Sequence, residues 1–306
     1  MRRSGPGRAI RRTRRATASE SARRAGLRPV TILRVVRGRA IGIALLLVAT
    51  ACPKGAIAAT ATGSEWHPDC SAAISYAEHR AGNPTFALRT KHQWCAYRPW
   101  HTEPSASVIK AMMLVYYLDR DDVRNRSLTG DEKATLAAMI ERSYDPSANY
   151  IFYNYVGYDG LNQLASGVGM RHFHTHPDPG GCICEYWGRT SIAAGDQTLL
   201  FLHLKRNIAP KHYRFALRLL SSIDPGYGYW GIADVRVPGW TRYWKSGWGA
   251  GTGWVDSQSI LLMRGSMKVA LTILTHNDPD HTYGKDTLRG IAGRVLKGLN
   301  RQARVR

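Results

Sequence analysis

Acidic side chains are scarce in this chain of 306 residues, which has 22 Asp and Glu against 43 Lys and Arg, a formal charge of +21. The excess is concentrated at the N-terminus, because residues 1–40 contain thirteen Arg and a single acid. The other 266 residues share a charge of only +9. This distribution argues against a polypeptide that coats nucleic acid along its whole length. With 44% apolar and 21% charged residues, the composition is that of a globular protein and excludes wholesale disorder.

The apolar run that follows the arginines, residues 40–51, has 12 residues and is too short for a membrane-spanning helix of about 20. Small-residue A-x-A sites follow at 56–58 and 59–61. These features are typical of a secretory signal, so we expect a basic leader and signal over 1–58 and one mature domain over 59–306. The basic segment is overlong, which indicates either a start codon further in or a basic cytoplasmic tail. Cys52 weakly resembles a lipoprotein acceptor, so a lipid anchor is the alternative to release outside the cell.

Cysteine is rare, with five residues in the chain. In an exported protein, the four beyond Cys52 suggest disulfides, and four cysteines allow three connectivities. We expect Cys70 to pair with Cys95, since each lies at the edge of a predicted element. Cys182 and Cys184 would then form a tight local ring or stay reduced.

The order of predicted elements indicates an α+β fold with a helical insertion over about 107–225. Helices are predicted over 69–81, 107–118, 134–140, 191–204, 210–222 and 286–300. Strands are predicted over 84–98, 242–247, 253–263 and 267–275. Asp69 is expected to cap the first helix, and Thr129 with Glu132 has the spacing of a capping box.

Three short motifs occur in one order along the chain. Ser107–Lys110 is an S-x-x-K at the start of an apolar helix. Ser and Lys at i and i+3 share a helix face, and burial disfavours an ammonium, so Lys110 is a plausible base for the hydroxyl of Ser107. Ser143–Asp145 lies where an S-x-N would lie, on the loop after a predicted helix. Lys245–Gly247 is a K-[ST]-G on a predicted edge strand, where glycine allows a close approach by a substrate backbone.

The three motifs resemble those of the penicillin-recognising serine hydrolases, the superfamily of class A β-lactamases and D-Ala-D-Ala carboxypeptidases. The resemblance covers about residues 68–300 and includes Ser143–Asn149, which is similar to the family's S-D-N-x-A-A-N. It implies an antiparallel sheet flanked by N- and C-terminal helices, with an inserted all-helical subdomain. By resemblance, each motif residue takes a role. Ser107 would be the acylated nucleophile, Lys110 its base and Ser143 the proton donor to the leaving nitrogen. Lys245 and Ser246 would bind the substrate carboxylate, and Gly247 would let the substrate backbone approach. The backbone N–H groups of Ser107 and Trp248 would form the oxyanion hole.

The chain also departs from that family. Tyr144-Asp145 replaces Asp-Asn, so an ionised Asp145 can only accept a hydrogen bond where the family's Asn donates one. Such an anion could repel a substrate carboxylate or select an amine-bearing substrate; a loop-capping role is the structural alternative. The E-x-x-L-N motif of the deacylating Glu is missing, and Glu185 lies too close to Thr190 to match it. We therefore expect acylation, without efficient β-lactam hydrolysis.

Two further clusters permit a second interpretation. His172, His174 and His176 alternate and could ligate zinc, although a polar surface loop is the simpler interpretation. Tryptophans crowd the K-S-G strand and are expected to pack as core or rim, with a glycan platform as the functional alternative. They are Trp230, Trp240, Trp244, Trp248 and Trp254.

The sequence thus predicts an exported serine hydrolase or acyltransferase that acts on peptide- or β-lactam-like amides, with peptidoglycan-derived molecules among the candidate substrates. No organic cofactor and no catalytic metal are implied. We expect a monomer with no nucleic-acid partner and with membrane contact through the signal alone. The rival prediction is a non-catalytic protein on the same scaffold that binds cell-wall peptidoglycan or anionic polymers.

Overall fold

The computed structural model describes residues 66–176, 186–250 and 253–301. The predicted leader, Cys52, Cys182, Cys184 and Glu185 lie outside the described residues. Within the described ranges, no helix is both long enough and apolar enough to cross a bilayer.

The described residues form seven strands and nine α-helices. The strands are β1 (Thr85–Arg89), β2 (Trp94–Tyr97), β3 (Thr102–Pro104), β4 (Ser191–Ala193), β5 (Thr241–Gly249), β6 (Trp254–Arg264) and β7 (Met267–Asp278). The helices are α1 (Cys70–Glu78), α2 (Ile109–Asp119), α3 (Gly130–Glu141), α4 (Asp145–Ile151), α5 (Gly157–Val168), α6 (Ala194–Leu202), α7 (Leu204–Asn207), α8 (Tyr213–Ser221) and α9 (His281–Val295). The α+β prediction with a helical insertion is confirmed.

Five strands form one antiparallel sheet in the order β2-β1-β7-β6-β5, so that β5 is an edge strand. Alternation along each strand sends neighbouring side chains to opposite faces. Asp256 on β6 faces His281 at the start of α9. Lys245 on β5 contacts Ser143, after α3. Helices α1 and α9 therefore cover one face of the sheet, and the helices between β3 and β5 lie against the other.

Local signals start several helices as predicted. The Asp69 carboxylate accepts a hydrogen bond from the backbone N–H of Ala72. Thr129 and Glu132 form the complete capping box at the start of α3. The predicted disulfide between Cys70 and Cys95 is confirmed, with Cα atoms 5.7 Å apart, and it links the start of α1 to β2.

Two helices begin at other residues than predicted, and two further helices were not predicted. The helix predicted over 191–204 begins only at Ala194, because Ser191–Ala193 pairs with β3 as strand β4. The last helix begins at His281 instead of 286, because the Asp280 carboxylate accepts from the N–H of Tyr283 and caps it earlier. Helices α4 and α5 were not predicted. They are joined by a π-helical turn over Phe152–Val156, which interrupts the 3.6-residue period that would have indicated them.

Candidate active site

Ser107 lies in a tight turn immediately before helix α2. Ala106–Val108 form one 3₁₀ turn, and Ala106 adopts a left-handed φ of 41°, which is unfavourable for a residue with a Cβ. The backbone N–H of Ser105 donates to Thr190 O at 2.9 Å, and its hydroxyl lies 3.2 Å from Gly188 O. These bonds hold the strained turn in place and leave Ser107 only half-buried.

Gly247 brings the edge strand β5 directly against this turn. A Cβ added at Gly247 would lie 2.7 Å from Ser107 N and 2.8 Å from both Ser105 O and Val108 N. All three are backbone atoms, so a side chain here would displace the nucleophile turn from the strand. The next residue along the edge strand is Trp248. The structure thus brings together the two backbone positions expected to form an oxyanion hole.

Lys110 is fully buried in α2, and its ammonium group has several oxygen partners. Its Nζ donates to Ser143 O at 2.6 Å and to the carboxylate of Asp145, and it lies 3.3 Å from Ser143 Oγ. The indole ring of Trp187 covers it, with the ring centre 4.9 Å from Nζ. The first and second motifs are therefore in direct contact.

Ser143 joins Lys110 to Lys245. The residue has a left-handed φ of 54° and is 8% exposed, which directs its hydroxyl into the interior after α3 ends. Lys245 Nζ donates to Ser143 Oγ at 2.9 Å and to Ser246 O at 2.8 Å. Complete burial, followed by the nearby cation of Lys110, lowers the pKa of Lys245 well below its ordinary value, against the opposing effect of Asp145. The Lys245 amine is thus biased toward its neutral form.

Asp145 is the first residue of α4, and 42% of its side chain is exposed. It forms an ion pair with the buried Lys110, and the helix N-terminus also favours an anion at this position. The structure therefore brings Lys110, Ser143, Asp145 and Lys245 into contact, and it places the Ser107 turn against Gly247 on the same strand as Lys245.

Comparison with known proteins was made at three levels. No protein-family model matches the chain, and no curated protein matches it. Solved structures of class A β-lactamases do match its fold. The chain has the fold of class A β-lactamases.

Three of these matches illustrate the relation. The β-lactamase of Sphaerobacter thermophilus is 16% identical, with a TM-score of 0.63 over 76% of this chain and 97% of that one. An ancestral class A β-lactamase is 16% identical, with a TM-score of 0.62 over 75% and 99%. A β-lactamase of Chitinophaga pinensis is 11% identical, with a TM-score of 0.64 over 76% and 99%. The resemblance inferred from the motifs is confirmed as a likeness of fold.

Within this β-lactamase fold, Ser246 and Trp248 project from the strand face opposite to Lys245. The Ser246 hydroxyl donates to Gly228 O at 3.0 Å and accepts from Gln258 Nε2 at 2.8 Å, and the residue is fully buried. Its hydroxyl is therefore engaged inside the protein. Trp248 is half-buried with its ring edge-on to Trp230 at 6.1 Å. For substrate binding, the structure presents the backbone of these two residues more directly than their side chains.

The alternating histidines do not converge. His172 stacks on Trp100 with ring centres 5.0 Å apart, while His176 Nε2 lies 2.8 Å from Ser191 Oγ. His174 forms a backbone bridge to Ser191. Among the described residues, no group of three or more His, Cys, Asp or Glu side chains is arranged to hold a metal ion.

The tryptophans near β5 divide into two groups. Trp240 and Trp244 are buried in the core, as the packing interpretation predicts. Trp254 is exposed and lies edge-on to His281 with ring centres 4.7 Å apart.

Sequence reasoning missed Trp187 and the side-chain role of Asn149. Trp187 is buried, its ring covers Lys110, and its Nε1 donates to Asn149 Oδ1 at 2.7 Å. The contact ties the loop before β4 to helix α4. Asn149 had been noted only as part of a motif, and no spacing pattern links Trp187 to the site.

A second set of buried charges lies at the end of the sheet near the start of α9, and we call Glu103, Asp256 and Asp278 the sheet-end carboxylates. His281 Nδ1 lies 2.9 Å from Asp256 Oδ2, and His276 Nδ1 lies 3.2 Å from Glu103 Oε2. Burial raises the pKa of Asp256 to about 6 and those of Glu103 and Asp278 to about 7. Within the described ranges, Asp256 Oδ1 and Asp278 Oδ1 have no hydrogen-bond partner.

Proposed function

We propose that this chain is an exported serine acyl-transfer enzyme that forms an acyl-enzyme on Ser107 from a peptide- or β-lactam-like amide. The observation that carries the proposal is the convergence of Lys110, Ser143 and Lys245 in one buried hydrogen-bonded chain beside the Ser107 turn. Two lysines fully buried around a single hydroxyl are costly to maintain by packing alone, which supports a chemical role.

In the first step, Ser107 Oγ adds to the carbonyl carbon of the amide, and its proton passes to the amine of Lys110. The developing oxyanion would accept hydrogen bonds from the backbone N–H groups of Ser107 and Trp248. Gly247 supports this step, since its lack of a side chain lets the strand that carries Trp248 approach the backbone of the Ser107 turn.

Lys110 must be a neutral amine to accept that proton, yet the ion pair with Asp145 favours its ammonium form. The chain Lys110–Ser143–Lys245 offers a route for the surplus proton. Ser143 Oγ lies 3.3 Å from Lys110 Nζ and 2.9 Å from Lys245 Nζ. Burial biases Lys245 toward the neutral amine, so a proton passed to it through the Ser143 hydroxyl would be held only weakly, and Lys110 acts as the base only while Lys245 carries that proton.

In the second step, the C–N bond breaks and the leaving nitrogen takes a proton from the Ser143 hydroxyl, which Lys110 or Lys245 replaces. The product is an ester on Ser107. Water or an amine then attacks that ester, which transfers the acyl group and restores the serine hydroxyl. No organic cofactor and no metal is needed for either step.

Asp145 bears on the choice of substrate. Its carboxylate is partly exposed in the cleft and carries negative charge where a substrate would lie. A substrate with a cationic group beside its scissile amide is favoured by such an anion, and one with a carboxylate there is disfavoured. We also propose that the protein acts outside the cytoplasm or in the cell envelope as a monomer, without nucleic acid. A lipoprotein anchored at Cys52 is the alternative.

A second candidate function has one observation in its favour. The first step needs Lys110 as a neutral amine, whereas its ion pair with Asp145 involves the ammonium form. A protein that retained the scaffold and lost the chemistry would bind cell-wall peptidoglycan or anionic polymers without turnover. The predominance of basic residues suits such polymers.

Covalent labelling separates these two functions. The protein is incubated with a fluorescent penicillin and with a fluorophosphonate, and adducts are located by intact mass and peptide mapping. We expect one adduct on Ser107 in the wild type and none in Ser107→Ala. Ser166→Ala, which changes an exposed serine on α5, is the matched control and should label like the wild type. Absence of any adduct, or an adduct that persists in Ser107→Ala, would favour the binding protein.

A further inference from the structure

A groove lined by four tyrosines lies between the start of α3 and the outer side of α4, and we call it the tyrosine groove. Its rings belong to Tyr117, Tyr144, Tyr150 and Tyr155, and its volume is about 630 Å³, within the range of ligand sites. Tyr144 and Tyr150 are each 51% exposed. Thr129 and Asp131 add a hydroxyl and a carboxylate at the edge. Nothing in the proposed acylation uses this groove.

The tyrosine groove and the active site share helix α4. One side of the helix carries Asp145 and Asn149, which contact Lys110 and Trp187. Another side carries Tyr150 into the groove, and Tyr144 precedes the helix. A molecule in the groove would therefore lie beside the Ser143–Asp145 loop, separated from the cleft by the thickness of one helix.

The π-helical turn after α4 sets the positions of two groove rings. Tyr150 and Tyr155 are five residues apart, a spacing that a π-turn aligns and an α-helix does not. Their rings pack edge to face at 5.7 Å, and their hydroxyls share a hydrogen bond of 3.1 Å. Tyr155 also packs edge to face on Tyr117 at 5.3 Å. The rings therefore hold one another in place and form a largely pre-organised surface, which lowers the entropic cost of binding.

The charges around the tyrosine groove favour a neutral ligand. Arg126 binds both carboxylate oxygens of Glu132, at 2.6 and 2.8 Å, and neutralises it. Arg120 lies over the Tyr155 ring at 5.3 Å and so occupies the position that a ligand cation would take. Asp131 remains as an exposed carboxylate, which accepts hydrogen bonds from hydroxyl groups and opposes an anionic ligand.

We propose that the tyrosine groove is a binding site for a neutral, polyhydroxylated saccharide. The apolar C–H face of a sugar ring would pack on Tyr144 and Tyr150, and its hydroxyls would donate to Asp131 and exchange hydrogen bonds with Thr129. Binding requires no acylation. Only the link between this saccharide and the substrate of Ser107 rests on the proposed function.

The test uses the full chain carrying Ser107→Ala, so that binding is measured whether or not Ser107 can be acylated. The ligand is tri-N-acetylchitotriose, a neutral saccharide, titrated by calorimetry and by NMR chemical-shift perturbation, with trilysine and a sulfated disaccharide as charged comparators. We expect saturable binding of the neutral saccharide, and weaker binding of both comparators. Loss of one ring contact in Tyr150→Ala or Tyr144→Ala should weaken binding about threefold to tenfold.

Two further variants keep the test decisive. Tyr153 is similarly exposed, at 49%, but does not line the groove, so Tyr153→Ala should bind like the parent. Tyr150→Phe keeps the ring and should retain most of the affinity even if Tyr150→Ala folds poorly. The proposal is overturned if the neutral saccharide does not bind, if Tyr153→Ala weakens binding as much as Tyr150→Ala, or if trilysine or the sulfated sugar binds more tightly.

Discussion

Two clusters of buried charge lie on opposite faces of the same sheet and differ in how their polar atoms are satisfied. On the helical side, Lys110 and Lys245 surround one serine hydroxyl, and each lysine nitrogen has oxygen partners within hydrogen-bonding distance. On the side of α9, Asp256 and Asp278 are crowded, and one oxygen of each lacks a hydrogen-bond partner among the described residues. Both clusters oppose folding through desolvation, but only the first borders the turn that carries Ser107.

The difference suggests how to distinguish buried charged residues that matter for reactivity from those that matter for stability. A buried charge that is satisfied, and that lies beside a strained turn bearing a nucleophile, is expected to matter for reactivity. A buried acid with a raised pKa and an unpartnered oxygen is expected to matter for stability, because it becomes neutral when pH falls. Removing a group from the first cluster should therefore change the rate of acylation, whereas removing one from the second should change stability.

The largest expected effect comes from Lys245→Met, which removes a fully buried amine and nearly keeps the side-chain volume. Acylation by a fluorescent penicillin should slow at least about 100-fold, since a pre-organised donor contributes about 3 kcal/mol in such sites. The free energy of unfolding should rise. The lowered pKa of Lys245 means that its ammonium form opposes folding, and this gain grows as pH decreases. Lys205→Met, at an exposed lysine, is the control for both assays. Unchanged acylation would show that Lys245 has no role in the reaction.

The disulfide between Cys70 and Cys95 lies outside both clusters, so its removal should change stability without changing acylation. Replacing Cys70 and Cys95 together by Ala opens a loop with a sequence separation of 25 residues. In the chain-entropy model, this lowers the free energy of unfolding by about 3 kcal/mol. Denaturant titration measures the loss, and penicillin labelling of the folded variant should stay within twofold of the wild type. A fall in labelling without a fall in stability would contradict the separation of this region from the site.

Asp145→Asn tests the ion pair between Asp145 and Lys110. The amide can still accept from Lys110 and can also donate to a substrate carbonyl, and it no longer holds Lys110 as an ammonium. We expect acylation by penicillin to become about 5- to 150-fold faster, equivalent to about 1–3 kcal/mol. Stopped-flow fluorescence measures the rate, with Ser107→Ala as the blank and Asp121→Asn, at a fully exposed aspartate, as the control. Slower acylation would instead show that Asp145 has a working role, with a cationic substrate as the natural partner.

The smallest effect is expected from a substitution among the sheet-end carboxylates, where only the pH dependence of stability should change. The pKa of Asp278, about 7, lies above its ordinary value through burial, then through Asp256, Glu103 and Asp280, against Arg80. Because the pKa of Asp278 is higher in the folded state than in the unfolded state, the carboxyl group stabilises the fold fully below about pH 4. This contribution is lost as pH rises through 7. Asp278→Asn should therefore raise the free energy of unfolding at pH 8 and leave it unchanged at pH 4. Equal effects at both pH values would contradict the assignment, and Asp121→Asn again serves as the control.

The sequence was sufficient for the parts of the molecule that local rules specify. The capping box at Thr129, the pairing of Cys70 with Cys95 and the strands around Arg264 followed from spacing and turn chemistry. The spacing of Ser107 and Lys110 predicted a shared face, and the structure places both beside the same cleft.

Long-range contacts were the parts that local rules could not supply. The ion pair of Asp145 with Lys110 spans 35 residues, and the contact of Trp187 with Asn149 spans 38. Helix α4 escaped prediction because the π-turn shifts the periodicity after it. The unpartnered oxygens of the sheet-end carboxylates depend on how α9 packs against β6 and β7, which no local pattern describes.

The close approach of Gly247 to the Ser107 turn also has a consequence for the order of events during synthesis. The two positions are 140 residues apart in the chain, so their contact has a high loop-closure cost and belongs to the non-local part of the fold. A nascent chain that ends before β5 has the serine and its first lysine but neither the second lysine nor the strand edge. The contact on which the proposed acylation depends therefore forms only with the last strands, after most of the chain has been made.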